Sequence, residues 1–90
     1  MSDPRLKRLS YRAWHRGTRE LDLVLGRFAD AALARMTEGE LGAFESLLAC
    51  ADPDLQRWLL GGDEPTGGVD TILIGKIRES LSSFPETVRR

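Results

Sequence analysis

A helix stop and a helix start lie next to each other at residues 16–22, in the sequence Arg-Gly-Thr-Arg-Glu-Leu-Asp. Gly17 follows a segment with helical apolar spacing, at a position where glycine can adopt a left-handed conformation and end the helix. A second such segment begins at Thr18 or Arg19. The chain must therefore turn sharply between two helices here, and charged side chains crowd around the turn.

The apolar spacing on either side of this turn predicts its two helices. The first covers residues 4–15, with Asp3 as its N-cap and Pro4 in its first turn. The second extends to about residue 35 and carries a continuous apolar stripe. Gly26 lies within this helix, where glycine costs about 1 kcal/mol relative to alanine. We therefore expect another helix to approach the second helix closely at Gly26.

Two shorter helices are predicted next. Thr37 and Glu40 form a capping box at the start of the third helix, whose apolar positions continue to Ala51. Asp52 is predicted to cap a fourth helix over residues 53–60, with a proline in its first turn. The glycine pair that follows is expected to end this helix.

The last helix is predicted to begin after an N-cap at Asp70 and to end before Pro85. Its apolar face is expected to hold Ile72, Leu73, Lys76, Ile77, Leu81 and Phe84. The β-branched residues at 69–74 are also compatible with a strand, but a lone strand would have no partner.

These elements predict an all-α fold, a small five-helix bundle that forms one domain over residues 1–90. Residues 61–69 have loop composition and are expected to be flexible. The tail at residues 85–90 is expected to be loose.

Charge is unevenly distributed along the chain, although the formal net charge is only −1. Six basic residues against one acidic residue give residues 1–19 a charge of +5, whereas eleven acidic residues against three basic ones give residues 20–70 a charge of −8. The single cysteine, Cys50, excludes an internal disulfide and a cysteine-based zinc site, and we expect it to be a small buried apolar residue. The single histidine, His15, excludes a histidine metal site.

These features argue against an enzyme. The chain has no second histidine, no hydroxyl with a base at motif spacing and no glycine loop with the lysine of a phosphate site. At 90 residues it has room for one core but not for a deep cleft. No apolar run approaches the length of a membrane span.

Two binding functions remain. The basic first segment favours nucleic acid, but the acidic segment that follows would repel phosphates, so a DNA-binding domain is the alternative. A protein-binding module agrees better with the residues. Within one helical turn, the Arg16 guanidinium would present hydrogen-bond donors and the Glu20 carboxylate an acceptor to a polar partner surface. Arg12, His15 and Asp22 flank this pair. The same four-residue spacing also allows an ordinary ion pair on a solvated surface.

The residues around the turn resemble a known signature. Residues 14–22 resemble the Arg-Gly-x-x-Glu motif of small succinate dehydrogenase assembly factors, the flavinator family called SdhE in bacteria. The resemblance continues over residues 23–30 and over residues 47–55, which contain Asp-Pro-Asp-Leu, with Trp58 three residues further on. His15 departs from the pattern, because relatives carry a basic residue, often arginine, before the motif arginine.

The resemblance implies a five-helix bundle that binds the flavoprotein subunit of succinate dehydrogenase, and in some bacteria that of fumarate reductase. Members of this family promote covalent attachment of FAD to a histidine of that subunit. Carried over by position, Arg16, Gly17 and Glu20 are the functional residues, with Arg12, His15 and Asp22 beside them. The family thus implies an assembly factor and not an enzyme.

Several properties of the free protein are also expected. No FAD is expected to be held stably, because no flavin-binding fold fits in this chain and the cofactor belongs to the client. Neither nucleic acid nor membrane insertion is expected. A first helix that begins almost at Met1 predicts a bacterial cytoplasmic protein without a transit segment. A monomer is the expected free state.

Overall fold

The computed structural model describes residues 3–81. Within this range the α-helices are α1 (Pro4–Trp14), α2 (Arg19–Ala32), α3 (Glu38–Leu48), α4 (Asp52–Leu55) and α5 (Thr71–Leu81). A 3-10 turn at Leu33–Arg35 extends α2, and a π-helical turn at Gln56–Leu60 extends α4. The predicted all-α architecture of five helices is confirmed. The predicted end of the last helix at Phe84 and the predicted loose tail lie outside the described residues.

Three of the helices begin where local sequence predicts. The Asp3 carboxylate accepts a hydrogen bond from the amide of Arg5 at 2.8 Å. In the capping box, the Thr37 hydroxyl accepts from the amide of Glu40 at 3.2 Å, and the Glu40 carboxylate accepts from the amide of Thr37 at 2.9 Å. Asp70 accepts from two amides in the first turn of α5. These caps satisfy amides that the helix itself leaves unpaired.

The fourth helix begins differently. Ala51, predicted as the last apolar position of the third helix, is exposed and is the N-cap residue of α4. Asp52 is the first residue of the helix, and no side chain caps the helix start. The predictions of an Asp52 cap and of a third helix that reaches Ala51 were therefore wrong, because the Asp52 carboxylate binds Arg16 instead.

The core is apolar and is formed by buried side chains from all five helices. Buried residues include Leu9 and Ala13 of α1 and the predicted stripe of α2, in agreement with the sequence pattern. On α5, however, the buried residues are Leu73, Ile74 and Ile77. Ile72 is 72% exposed, and Lys76, one turn further along the same face, pairs with Glu40 at 3.1 Å. The predicted apolar face of α5 was therefore wrong at these two positions, and the alternative strand is not formed because residues 71–74 are helical.

Gly26 is the point at which α1 lies against α2. A β-carbon added at Gly26 would overlap the indole ring of Trp14. The Trp14 indole N–H donates to the Asp30 carboxylate, one turn further along α2, at 3.2 Å. The ring therefore lies across the surface that the missing side chain leaves open, and the predicted close approach of another helix is confirmed.

Replacement of Gly26 by alanine tests this packing. Gly26→Ala is expected to lower the free energy of unfolding by about 1–3 kcal/mol, because the Trp14 ring must move to admit the β-carbon. Gly42→Ala in α3 is the matched control, since nothing lies within 4 Å of its added β-carbon. The control is expected to be neutral or to stabilise by up to about 1 kcal/mol. Urea unfolding followed by helical circular dichroism measures both, and equal midpoints would contradict the close approach.

The capping box makes stability depend on pH. The hydrogen bond from the Thr37 amide and the contact with Lys76 hold the pKa of Glu40 below its ordinary value of 4.5. A carboxylate whose pKa is lowered by folding adds stability above its unfolded pKa. That contribution is lost as the pH falls through the lowered, folded value.

Glu40→Gln tests this dependence. Its amide oxygen can still accept from the Thr37 amide but does not titrate. The wild-type melting temperature is expected to fall more steeply than that of Glu40→Gln between about pH 6 and about pH 3. Thermal melts at a series of pH values measure this, and the exposed Glu64→Gln serves as the control that should follow wild type. Parallel curves for wild type and Glu40→Gln would show that the prediction is incorrect.

Candidate functional site

The turn between α1 and α2 is built from four consecutive residues, and we refer to residues 15–18 as the corner. His15 ends α1, and its amide donates to the carbonyl of Arg12 at 3.4 Å. Gly17 has a φ of +110°, a conformation that side chains with a β-carbon rarely adopt. Thr18 is extended and caps α2, where its hydroxyl accepts from the amide of Leu21 at 3.3 Å. The predicted helix stop and helix start are both confirmed.

Asp22 holds the corner from its inner side. One oxygen of its carboxylate accepts from the amide of Arg16 at 2.5 Å and from the amide of Gly17 at 3.3 Å. Hydrogen bonds to a charged acceptor are stronger than neutral ones. Asp22 was predicted to bind the partner, whereas its carboxylate accepts hydrogen bonds from the backbone of the corner itself.

The Arg16 guanidinium is directed into the molecule. It donates to the carbonyl of Leu48 at 2.5 Å and to that of Cys50 at 2.9 Å. Its Nε and Nη2 atoms also donate to one Asp52 carboxylate oxygen, at 3.1 and 2.9 Å. The Arg16 side chain is only 13% exposed. These hydrogen bonds join the corner to the junction between α3 and α4.

The chemistry of this junction suits an arginine. The last carbonyls of a helix have no partner within the helix and carry partial negative charge. A planar guanidinium presents several N–H groups in fixed directions, so it can serve two carbonyls and a carboxylate at once. The salt bridge of Arg16 is with Asp52, so the structure does not contain the Arg16–Glu20 pair that the four-residue spacing allows.

Cys50 contributes its backbone to this junction. Its carbonyl accepts from Arg16, and its thiol donates to the carbonyl of Ser46 at 3.6 Å. The side chain is half-buried and packs against the core, so the predicted buried apolar cysteine is confirmed in part.

The outer side of the corner is open. Gly17, Arg19 and Glu20 are all exposed. The side chains of Arg19 and Glu20 make no hydrogen bond or ion pair with any other residue in the range 3–81. Glu20 therefore offers a free carboxylate beside a glycine that has no side chain to block an approaching surface.

A stacked aromatic pair lies next to the corner on α1. Tyr11, which is 64% exposed, stacks on His15 with 4.0 Å between ring centres. The His15 Nδ1 atom lies 2.7 Å from the Tyr11 carbonyl, which can only accept, so Nδ1 carries the proton. Sequence analysis singled out His15 but not Tyr11. The four-residue spacing of two rings on one helix was the available signal.

The basic surface of α1 is partly neutralised within the bundle. Arg5 pairs with Glu38 at 2.7 Å and with Glu45 at 3.4 Å. The hydrogen bond that Arg5 donates to Glu38 is the main cause that raises the pKa of Arg5. Lys7 and Arg8 remain exposed. The first helix therefore keeps a smaller free positive charge than its composition indicates.

Two features are absent from residues 3–81. In this part of the chain no helix is both long enough and apolar enough to span a membrane. The same residues contain no group of three or more His, Cys, Asp or Glu side chains arranged to hold a metal ion.

Comparison with known proteins places the chain among assembly factors. The family described as the flavinator of succinate dehydrogenase matches residues 7–81, which is most of the chain. The chain therefore belongs to this family. The relatives are named as assembly factors, in agreement with the prediction that the chain is not an enzyme.

The relatives include bacterial and mitochondrial proteins. The FAD assembly factor SdhE of Legionella pneumophila (strain Lens) is 50% identical over 50 residues, which cover 56% of this chain and 63% of the relative. SdhE of Aliivibrio fischeri (strain ATCC 700601 / ES114) is 40% identical over 67 residues, 74% of this chain and 78% of the relative. The mitochondrial succinate dehydrogenase assembly factor 2 of Dictyostelium discoideum is 32% identical over 79 residues, 88% of this chain and 56% of the relative.

The matches do not extend over whole relatives. In the Legionella protein and in SdhE of Acetobacter pasteurianus, the chain spans 63% and 52% of the relative's length. No solved structure was found to match the chain.

Substitution of the two acids in the first turn of α2 tests which of them holds the corner. Asp22→Asn is expected to lower the free energy of unfolding by about 1–3 kcal/mol, because it weakens the hydrogen bonds to two amides of the corner. Glu20→Gln removes the same charge from the same helical turn and is expected to change stability by less than about 0.5 kcal/mol. Urea unfolding of both variants measures the difference. Equal losses would mean that Asp22 does not hold the corner.

Proposed function

We propose that this protein binds the flavoprotein subunit of succinate dehydrogenase and promotes covalent attachment of FAD to it. Membership of the flavinator family and the names of the relatives support this proposal. The main structural support is the corner. Its inner side is hydrogen-bonded to the rest of the bundle, while the side chains on its outer side are exposed and have no partner among the described residues. The flavoprotein subunit of fumarate reductase is the second client that the resemblance implies.

The docking edge consists of Gly17 and Glu20, with Arg12 and His15 beside them. Gly17 lets the backbone of the client approach closely, because no side chain projects from the corner. Glu20 supplies an acceptor that has no competing partner among the described residues. Arg16 was expected to donate to the partner. We propose instead that it supports this edge from inside, through its hydrogen bonds to the junction between α3 and α4.

A protein without catalytic groups can promote this reaction by positioning. Formation of the bond between a histidine and the flavin is chemistry that the client and cofactor supply. A rigid edge that holds the client domains in the reactive geometry removes much of the entropic barrier. FAD accordingly stays with the client, and this chain holds none stably.

The surroundings of the corner are consistent with such docking. The exposed Lys7 and Arg8 on α1 would steer the protein toward an acidic surface of the client. The same positive charge was the basis of the DNA alternative, but Arg5 is occupied by Glu38 and Glu45. We propose that the free protein is a monomer and acts in the bacterial cytoplasm, on the support of the bacterial relatives.

Substitutions at the edge test the proposal. Gly17→Leu and Glu20→Gln are each expected to lower covalent flavinylation of the client about tenfold or more, since both alter the centre of the proposed interface. The purified client subunit is incubated with FAD and each variant, and covalent flavin fluorescence is read on a denaturing gel. Gly17→Leu is also expected to reduce stability, because leucine is strained at a φ of +110°.

Matched controls separate docking from folding. Gly67→Leu places the same side chain at another glycine with positive φ, in the segment between α4 and α5, with nothing within 4 Å. Glu64→Gln removes an exposed acid from that segment. Both controls are expected to support full flavinylation. Full flavinylation by folded Gly17→Leu would overturn the proposal, with folding checked by a cooperative circular dichroism melt.

A further inference from the structure

Asp52 binds Arg16 and lies close to Gly17, the two residues at the centre of the motif. One oxygen of its carboxylate accepts two hydrogen bonds from Arg16. The other oxygen lies 3.7 Å from the position that a β-carbon on Gly17 would take. Asp52 therefore lies directly beneath the corner, although it is thirty-six residues away from Arg16 in sequence.

The Asp52 side chain does not serve its own helix as a cap. The start of α4 has no side-chain cap hydrogen bond, and its N-cap residue is Ala51. Asp54, two residues later, also lies in the first turn of α4, but it pairs with Arg57 at the surface, at 2.7 Å. Both acids carry the charge that suits a helix N-terminus. Asp52 contacts the corner through Arg16, whereas Asp54 is paired with Arg57 of its own helical segment.

We infer that Asp52 is a positioning residue of the docking edge, and this inference rests on the proposed function. Asp52 fixes the Arg16 guanidinium, and Arg16 in turn fixes the backbone that leads into Gly17. Without the carboxylate, a mostly buried cation would keep only two carbonyl acceptors, and a buried charge that loses its partner is strongly disfavoured. Arg16 would then turn outward, and the corner would be held by Asp22 alone.

The free protein gives the first test. In Asp52→Asn, hydrogen exchange at the amides of Arg16 and Gly17 is expected to become about tenfold faster or more, because local opening of the corner costs less. Exchange at the Leu25 amide, in the middle of α2, is expected to stay close to its wild-type rate. Asp54→Asn, which removes the same charge from the same helical turn, is expected to leave all three amides unchanged. Two-dimensional nitrogen–proton NMR measures each amide separately.

The flavinylation assay gives the second test. Asp52→Asn is expected to lower covalent flavinylation about tenfold, Asp54→Asn to have no effect, and Asp52→Glu to restore part of the loss. Arg16→Lys is expected to lower it as well. The double variant Asp52→Asn/Arg16→Lys should be no worse than the poorer single variant, because both changes remove one interaction.

Each outcome decides the inference. Wild-type exchange at the corner in Asp52→Asn would overturn it, and so would losses that add in the double variant, since addition would mean that Asp52 contacts the client independently. If Asp52→Asn does not fold, Arg16→Lys is measured by both methods, and wild-type exchange at the Gly17 amide of that variant would overturn the inference. If the wild type itself fails to promote flavinylation, the proposed function is wrong, while the exchange experiment still decides whether Asp52 holds the corner.

Discussion

The bond between the Arg16 guanidinium and the end of α3 is the interaction on which the arrangement of the corner depends. Helices leave their last carbonyls without internal partners, and here a cation from another part of the chain donates to the carbonyl of Leu48, at the end of α3, and to that of Cys50, two residues further on. Asp52 balances the charge, which allows the guanidinium to be mostly buried. One side chain thus connects α1 and α2 to α3 and α4, and it leaves the outer side of the turn free.

A second arginine solves a similar problem after α4. Arg78 on α5 donates to the carbonyl of Trp58 at 2.7 Å and to that of Asp63 at 2.5 Å, so it ties the π-helical turn after α4 to the last helix. Neither arginine is fully exposed, and both contact residues distant in sequence. In a domain with a small apolar core, such contacts fix how short helices meet, a task for which apolar packing alone has little area.

The local features of this fold could be predicted from the sequence, whereas the long-range partners could not. The caps at Asp3, Thr37 and Asp70 and the close approach at Gly26 depend on residues a few positions apart or on the absence of a side chain. The inward direction of Arg16 depends on an acid thirty-six residues away, and local spacing pointed to Glu20 instead. The choice between Ile72 and Ile74 as the buried residue of α5 likewise depends on how the helix is set against its neighbours.

The sequence separation of the Arg16 contacts has a consequence for the order of folding. Its acceptors lie thirty-two to thirty-six residues along the chain, so they cannot reach Arg16 until that intervening chain has closed into a loop. A pair that contains only α1 and α2 would have its turn held by Asp22 but not by Arg16. The edge reaches its final shape only when the first four helices have assembled, which couples recognition of a client to completion of the bundle.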